Sequence, residues 1–535
     1  MLSIFFLLFE RGFFTLTWKF NYSMVINIIE YFERNLPVQA NKIAVIDNDK
    51  TIDFNTLAAQ SKKLASILIE KKDVFNKPIA VFLPKSIESV ISNLGITYSG
   101  NIYMNLDIKN PDTRISNILQ KIQPEIIITN KSLSKKISSL NTGGAIIVHI
   151  EELEDSNTFS EELIFKRLEN TIDTDPYCII NTSGSTGTPK GVALNHKSFV
   201  DFIEWSIPTL KITNNQVIGS LSPLYFDIYS FELCLLMAKG ATIVIIPEGL
   251  ATFPVKLIEY LKDRKVDWIF WVPTIMVNIA NLDLFSALQL PDLKTVWFAG
   301  EVFPTKHLNY WRRYLPHAMF VNLYGPIEIT LDCTYYIIEK DLSNDMPVPI
   351  GYPCRNTDVL ILNEGDQLSG VNEKGELCVR GTSLALGYYN DPDKTAKAFV
   401  QNPLNTSYPE LIYRTGDVVY KNDAGEIIFV GRKDFQVKHL GYRIDLSEVE
   451  HVIVNTWAKA PNACVLYDHT KKEICLFYEG KDEIAPAVFR KELAQYLPKY
   501  MVPTFFRLFK ELPRNPNGKI DRNLLATMIQ NEISA

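Results

Sequence analysis

Short apolar runs alternate with amphipathic, helix-like stretches through most of this chain, and no other feature narrows its possible folds as much. Residues 43–47, 78–83, 126–128, 241–246, 268–272 and 295–299 read as strands, and helical patterns such as 54–71 and 86–98 separate most of them. Strand and helix in turn is the pattern of layered α/β architecture with largely parallel sheets. From about residue 349 to 430 the chain becomes strand-rich, with turn signals at Asn363 to Gly365 and Asp423 to Gly425. Beyond that, 448–456 and 486–497 read as helices and 463–467 and 473–478 as strands, which makes a small α+β unit. The expected organisation is a large domain, 24–433, of layered α/β subdomains plus a β-rich subdomain, and a small C-terminal α+β domain, 434–535.

A chain of 535 residues has room for several domains of roughly 100–200 residues each. Its 47% apolar and 22% charged residues are those of a globular protein. A net charge of −6 gives no general attraction to nucleic acid or anionic lipid, so neither is expected as a partner. The seven cysteines are odd in number and have no CxxC spacing, which fits buried thiols in a reducing, cytoplasmic compartment. The histidines show no zinc-ligand spacing. Leu2 to Phe9 is apolar apart from Ser3, but Glu10 and Arg11 follow at once. That is far short of the about 20 apolar residues of a membrane helix, and it lacks the basic start and cleavage site of a signal peptide. Residues 1–23 therefore read as an N-terminal extension with Met24 as the natural start, followed by an amphipathic helix carrying Ile26, Ile28, Ile29 and Phe32.

The stretch from Asn181 to Gly191, NTSGSTGTPKG, follows the apolar run 177–180 and precedes a helical pattern from Lys197. Gly184, Gly187 and Gly191 let the backbone turn tightly, and Thr182, Ser183, Ser185 and Thr186 add hydroxyl donors. Backbone N–H groups in such a loop form an anion nest, and Lys190 adds a formal charge, so the loop suits a polyphosphate. It is not the Walker pattern, which needs a glycine directly before Lys190 where this chain has Pro189.

This loop resembles the signature of the adenylate-forming superfamily, which includes acyl-CoA ligases, luciferases and the adenylation domains of nonribosomal peptide synthetases. Further motifs follow in the family's order. NLYGPIEIT from Asn322 resembles the NxYGPTE segment; the resemblance implies that Tyr324 stacks on adenine and that Glu328 holds Mg²⁺ as a hard oxygen ligand. Ile327 departs from the family's usual threonine there and removes a hydroxyl. YRTGD, ending at Asp417, implies a carboxylate that accepts both ribose hydroxyls of ATP, and Arg432 would face the same nucleotide. The run from Gly431 to Glu450 looks like the junction of the two domains, with Asp434 as hinge and Gly441 where a thiol-bearing arm enters. NGKIDR places Lys519 as the catalytic lysine that bridges the attacking carboxylate and the α-phosphate, where negative charge develops.

Asp227 stands where amino-acid adenylation domains place the partner of the substrate ammonium, and a buried ammonium needs such a charge. By the same resemblance Ile228, Phe231, Phe270, Trp297, Ala299, Leu323, Leu331 and Asp332 would line the side-chain pocket. Three large aromatics imply a small substrate, and Asp332 asks for a hydroxyl, an amine or a water. Serine, alanine, glycine and β-alanine are the candidates, with serine or alanine favoured. Segments from Ala299 to Val302 and from Gly431 to Glu450 look closest to D-alanine–carrier protein ligases, although that subgroup tends to have cysteine where Ala299 stands. The 16 residues after Lys519 hold no carrier domain, so the acceptor is expected to be a separate phosphopantetheinyl carrier protein or coenzyme A. The alternatives are a carboxylate–CoA ligase for a small acid and a nucleotide-binding homologue with impaired catalysis.

Overall fold

A computed structural model describes residues 24–155, 159–183, 189–433, 436–514 and 520–531. The expectation for residues 1–23 lies outside the described residues, as do Gly184, Ser185, Thr186, Gly187, Asp434 and Lys519.

The predicted strand–helix alternation forms two large sheets stacked through helices. One has seven strands, with Ile102–Asn105, Pro78–Val81, Ile126–Thr129 and Ile146–His149 running parallel and Pro176–Thr182, Lys190–Asn195 and Gly387–Tyr388 paired antiparallel at the other side. The other has nine strands; its centre, Met319–Tyr324, Thr295–Phe298, Trp268–Trp271, Val217–Ser220, Thr242–Ile245 and Ile43–Asp47, is parallel, and its edges are antiparallel. The sheets are thus mixed rather than parallel throughout. The central strands are buried along their whole length, as their continuous apolar runs require.

Helices Ile87–Tyr98 and Asp227–Lys239 are enclosed on nearly all sides. They can be, because apolar and small residues surround the helix axis instead of forming one stripe. The largest core cluster runs through both, joining Val81 and Tyr103 of one sheet to Ile218 and Trp268 of the other. The sequence-predicted helix 54–71 is Phe54–Lys71, started by Asp53, whose carboxylate accepts the Thr56 N–H. The first helix is Ile29–Gln39; it buries Ile28, Ile29 and Phe32 and leaves Ile26 exposed.

A five-stranded antiparallel sheet follows, built on Gly375–Gly381 and Leu411–Lys421. The last part of the chain holds the hairpin Gln436–His439 with Tyr442–Asp445, and a three-stranded sheet of Ala463–Asp468, Glu473–Glu479 and Phe505–Phe509. Its apolar core is separate, around Val449, Leu476 and Phe489. The stretch expected as one helix at 448–456 is the α-helix Leu446–His451 continued by a π-helical segment, Val452–Trp457. Among the described residues no helix is long and apolar enough to cross a membrane.

Candidate active site

The parallel strands of both sheets end at a single crevice, the usual place for a ligand in open α/β sheets. Asn105, Thr182, Tyr225, Val272, Ala299 and Gly325, each at or just beyond a strand's carboxyl end, line it. The hairpin residues Gln436 to Lys438 and Gly441 to Arg443 close it from the other side, with Tyr500.

One end of the crevice is a network of paired charges. Asp417 and Arg432 face each other in the antiparallel register of Leu411–Lys421 with Ile427–Arg432. The Arg432 guanidinium donates to Asp417 Oδ1 and, at 2.9 Å, to the Thr415 carbonyl, while the Tyr324 hydroxyl donates to Asp417 Oδ2. Glu328, on the short turn Ile327–Ile329, is fully buried. The Tyr388 hydroxyl donates to its Oε1 at 2.8 Å and Arg443 Nη1 to its Oε2 at 2.7 Å. Burial alone would push the Glu328 carboxyl up, but Arg443 and then Lys190 outweigh it and hold the group at about 2. Lys190 lies with its ammonium 4.8 Å from the Tyr388 ring centre, its pKa lowered by burial. Thr182 and Ser183 line the crevice; the Ser183 hydroxyl donates to the Arg443 carbonyl at 2.8 Å. The buried side-chain atoms of Asn181 and the Thr182 hydroxyl meet no hydrogen-bond partner among the described residues. Ile327 lines the same wall, so the departure from the family's threonine gives an apolar surface beside Glu328.

The other end is apolar with two carboxylates. Asp227 opens helix Asp227–Lys239, and its Oδ1 accepts the Ile228 N–H at 2.9 Å. Burial pushes its carboxyl up to about 6 despite that bond and the nearby Lys438. Asp332 is 4% exposed, and burial and then the charge of Asp227 raise its pKa well above the usual carboxylate range. Ile228, Phe270, Ala299 and Leu331 complete this wall. Phe231, Trp297 and Leu323 do not line it: they are buried behind it, where Phe231 stacks on Trp297 at 5.8 Å and Trp268 meets Trp297 edge-on at 5.1 Å. They form a floor rather than a lining. Thr330 and Leu331 have φ of 54° and 64°, strained for residues with a Cβ, and this bend delivers Leu331 and Asp332 to the wall. Gly325 makes room for it, since a Cβ there would lie 2.3 Å from the Leu331 carbonyl oxygen.

Sequence reasoning gave no role to Lys438, Arg443, Tyr388 or Glu301. Lys438 is buried in the crevice, its pKa lowered by desolvation against the pull of Asp417. Lys438 and Arg443 are register partners across the hairpin, so two cations at matched positions flanking Gly441 were the available signal. Tyr388 and Glu301 left none, because their contacts join distant segments. Glu301 accepts the Gly441 N–H at 2.7 Å and also binds Thr274. Gly441 has φ of 82° and its Cα faces Val272, whose methyl carbons would be 3.0 Å from any Cβ. The described flanks of Lys519 lie elsewhere: Ile520 and Leu525 belong to a cluster with Cys464 and Phe477, and Arg522 grips Glu450. None of these flanking residues lines the crevice.

Comparison with known proteins bears on this geometry. The profile of a family described as "AMP-binding enzyme" matches residues 32–389. Tyrocidine synthase 1 of Brevibacillus parabrevis is 31% identical over 502 residues, 93% of this chain but 45% of that relative, so this chain spans less than half its length. Zwittermicin A synthase ZmaJ of Bacillus cereus is 30% identical over 508 residues, 94% of this chain and 95% of its own. Among solved structures, the Vibrio cholerae adenylation domain AlmE in complex with glycyl-adenosine-5'-phosphate shares the fold, with a TM-score of 0.81 at 20% identity over 98% of this chain and 100% of that one.

Proposed function

The chain belongs to the AMP-binding enzyme family, and from that premise we propose that it adenylates a small amino acid with ATP and passes the aminoacyl group to the thiol of a separate phosphopantetheinyl carrier protein. The observation that carries this reading is the shared crevice, lined by Asp417 and Arg432 at one end and by Asp227 at the other, with Tyr324 and Glu328 buried just behind it and bonded to the lining residues Asp417 and Arg443. In the first step the amino-acid carboxylate attacks the α-phosphate and pyrophosphate departs. Asp227 binds the substrate ammonium and so fixes which face of the carboxylate meets the phosphate. Asp417 accepts the ribose hydroxyls, and the Tyr324 ring offers a face to adenine. Lys519, outside the described residues, cancels repulsion between carboxylate and triphosphate. In the second step the small domain, 434–535, turns at Asp434 and a thiol attacks the acyl carbon, releasing AMP.

A magnesium ion fits this set of residues. Glu328, its carboxyl held well down by Arg443 and Lys190, would offer a hard oxygen at Oε2, where the Arg443 guanidinium now donates. One carboxylate completed by phosphate oxygens is how magnesium is usually held. When bound it supplies charge neutralisation at the phosphates.

The floor made by Trp297 and Phe231 supports a small side chain, and Asp332 supports one with a donor, such as serine; alanine remains on the list if a water serves Asp332. The glycyl-adenylate held by AlmE is in keeping with a small amino acid. ATP–pyrophosphate exchange against L-amino acids, D-alanine, β-alanine and small acids without an amine tests the reading. Exchange driven by one small amino acid is expected. Exchange only with acids lacking the amine would replace it with a carboxylate–CoA ligase, and silence with ATP binding intact would indicate impaired catalysis at Ile327.

A further inference from the structure

The carboxylate read above as the metal ligand already has a cation on it, and that cation comes from the small C-terminal part of the chain. Arg443 Nη1 lies 2.7 Å from Glu328 Oε2, joining residues 115 positions apart. The rest of the arginine is held by its own hairpin: Nε donates to Gln436 Oε1 at 2.8 Å on the paired strand. The backbone beside it is fixed to the phosphate-loop side, where Ser183 Oγ donates to the Arg443 carbonyl and accepts the Asp445 N–H at 3.1 Å. The guanidinium therefore reaches Glu328 only when the hairpin is docked as described.

A divalent cation makes a different demand on the same atom. It binds a carboxylate oxygen at about 2.0–2.1 Å and brings a shell of phosphate and water oxygens with it. That shell and a guanidinium cannot share one buried oxygen, and the two positive charges repel in a site with little water to screen them. Glu328 is 0% exposed, so neither cation can be accommodated by swinging the carboxylate into solvent.

We infer that Arg443 and the divalent cation exchange on Glu328, so that metal binding and the docked hairpin exclude each other. This rests on the reading of Glu328 as metal ligand in an adenylating enzyme. Its consequence is an ordering device: the carboxylate is neutralised by metal while polyphosphate is present and by arginine afterwards, and the fold never leaves it bare.

The test uses full-length protein, manganese as the metal and α,β-methylene-ATP as a non-cleaved nucleotide, with manganese affinity read by electron paramagnetic resonance. Arg443→Gln is expected to tighten manganese binding about fivefold to tenfold, because a competitor is gone, and Glu328→Gln to weaken it by at least about tenfold. Equal affinity of wild type and Arg443→Gln overturns the exchange while Glu328 still stands as ligand. Unchanged affinity in Glu328→Gln instead overturns the metal reading beneath it, and the exchange with it. A second measurement leaves Arg443 intact. Thr113 Oγ donates to the Gln495 carbonyl at 3.0 Å across the docked surfaces, so a Thr113→Cys/Gln495→Cys pair reports docking by its rate of disulfide formation. Manganese with the nucleotide is expected to slow that cross-link several-fold over nucleotide alone, and the difference is expected to vanish in Glu328→Gln. A cross-linking rate indifferent to bound manganese overturns the inference.

Discussion

The two ends of the crevice hold the same chemical group in opposite conditions. Glu328 and Asp417 are each met by an arginine and a tyrosine hydroxyl, and Glu328 is ionised down to about pH 2. Asp227 and Asp332, the first of which raises the pKa of the second, share an apolar wall where the cation Lys438 only partly offsets burial. The first pair is complete without ligand. The second carries unsettled charge that a bound ammonium or hydroxyl would settle. A nucleotide is common to every turnover, so its site gains from being rigid beforehand. Discrimination among small acids gains from polar groups that stay unpaired with the wrong ligand.

The contrast can be broken most directly at Glu328. Glu328→Leu leaves the Arg443 guanidinium, 17% exposed, and the Tyr388 hydroxyl without their acceptor. It is expected to lower unfolding free energy by about 3–5 kcal/mol in denaturant titration. A loss under about 1 kcal/mol would mean the paired end is not the pre-formed one.

Next in size is Asp227→Ala, expected to cut kcat/KM for the amino acid by about 10²–10³ in pyrophosphate exchange, with ATP affinity moving less than about threefold. Parallel loss of ATP affinity would show that the two ends are one unit.

The pH dependence sharpens the same point. With the Asp227 carboxyl at about 6, acidification through that value protonates it before substrate arrives. Below it kcat/KM is expected to fall about tenfold per pH unit, and the slope is expected to disappear in Asp227→Asn. The smallest effect is a gain. Asp332 has a raised folded pKa, so its ionisation costs the folded state more as pH rises above its ordinary value of 3.8. Asp332→Asn should therefore stabilise the protein by about 1–2 kcal/mol at pH 7 and by little near pH 4, while lowering activity. Thermal denaturation at the two pH values checks it, and destabilisation at pH 7 would show that Asp332 is already satisfied.

Much of this was legible in the chain. The apolar run 268–272 and the amphipathic stretches 54–71 and 86–98 read as a strand and two helices, and the structure has them as Trp268–Trp271, Phe54–Lys71 and Ile87–Tyr98. Asp417 and Arg432 could be read because their segments resemble family motifs, and the structure sets them opposite each other on neighbouring antiparallel strands. Phe231, Trp297 and Leu323 were read as pocket lining, yet they stand one layer deeper. They are placed there by resemblance, position by position, and such a match does not tell how deeply the packing around a residue covers it.

The sequence by itself determined the alternation of elements, because that depends on residue type and short-range spacing, and the resemblance of its motifs singled out the carboxylates to look for. The tertiary structure alone decided which carboxylate is paired and which is left to its ligand. That depends on Arg443 reaching Glu328 across 115 residues, and on Tyr388 arriving from a strand paired to the edge of another sheet. Burial and the nearest opposite charge set a carboxylate's ionisation, and both are properties of packing in space that no stretch of chain contains.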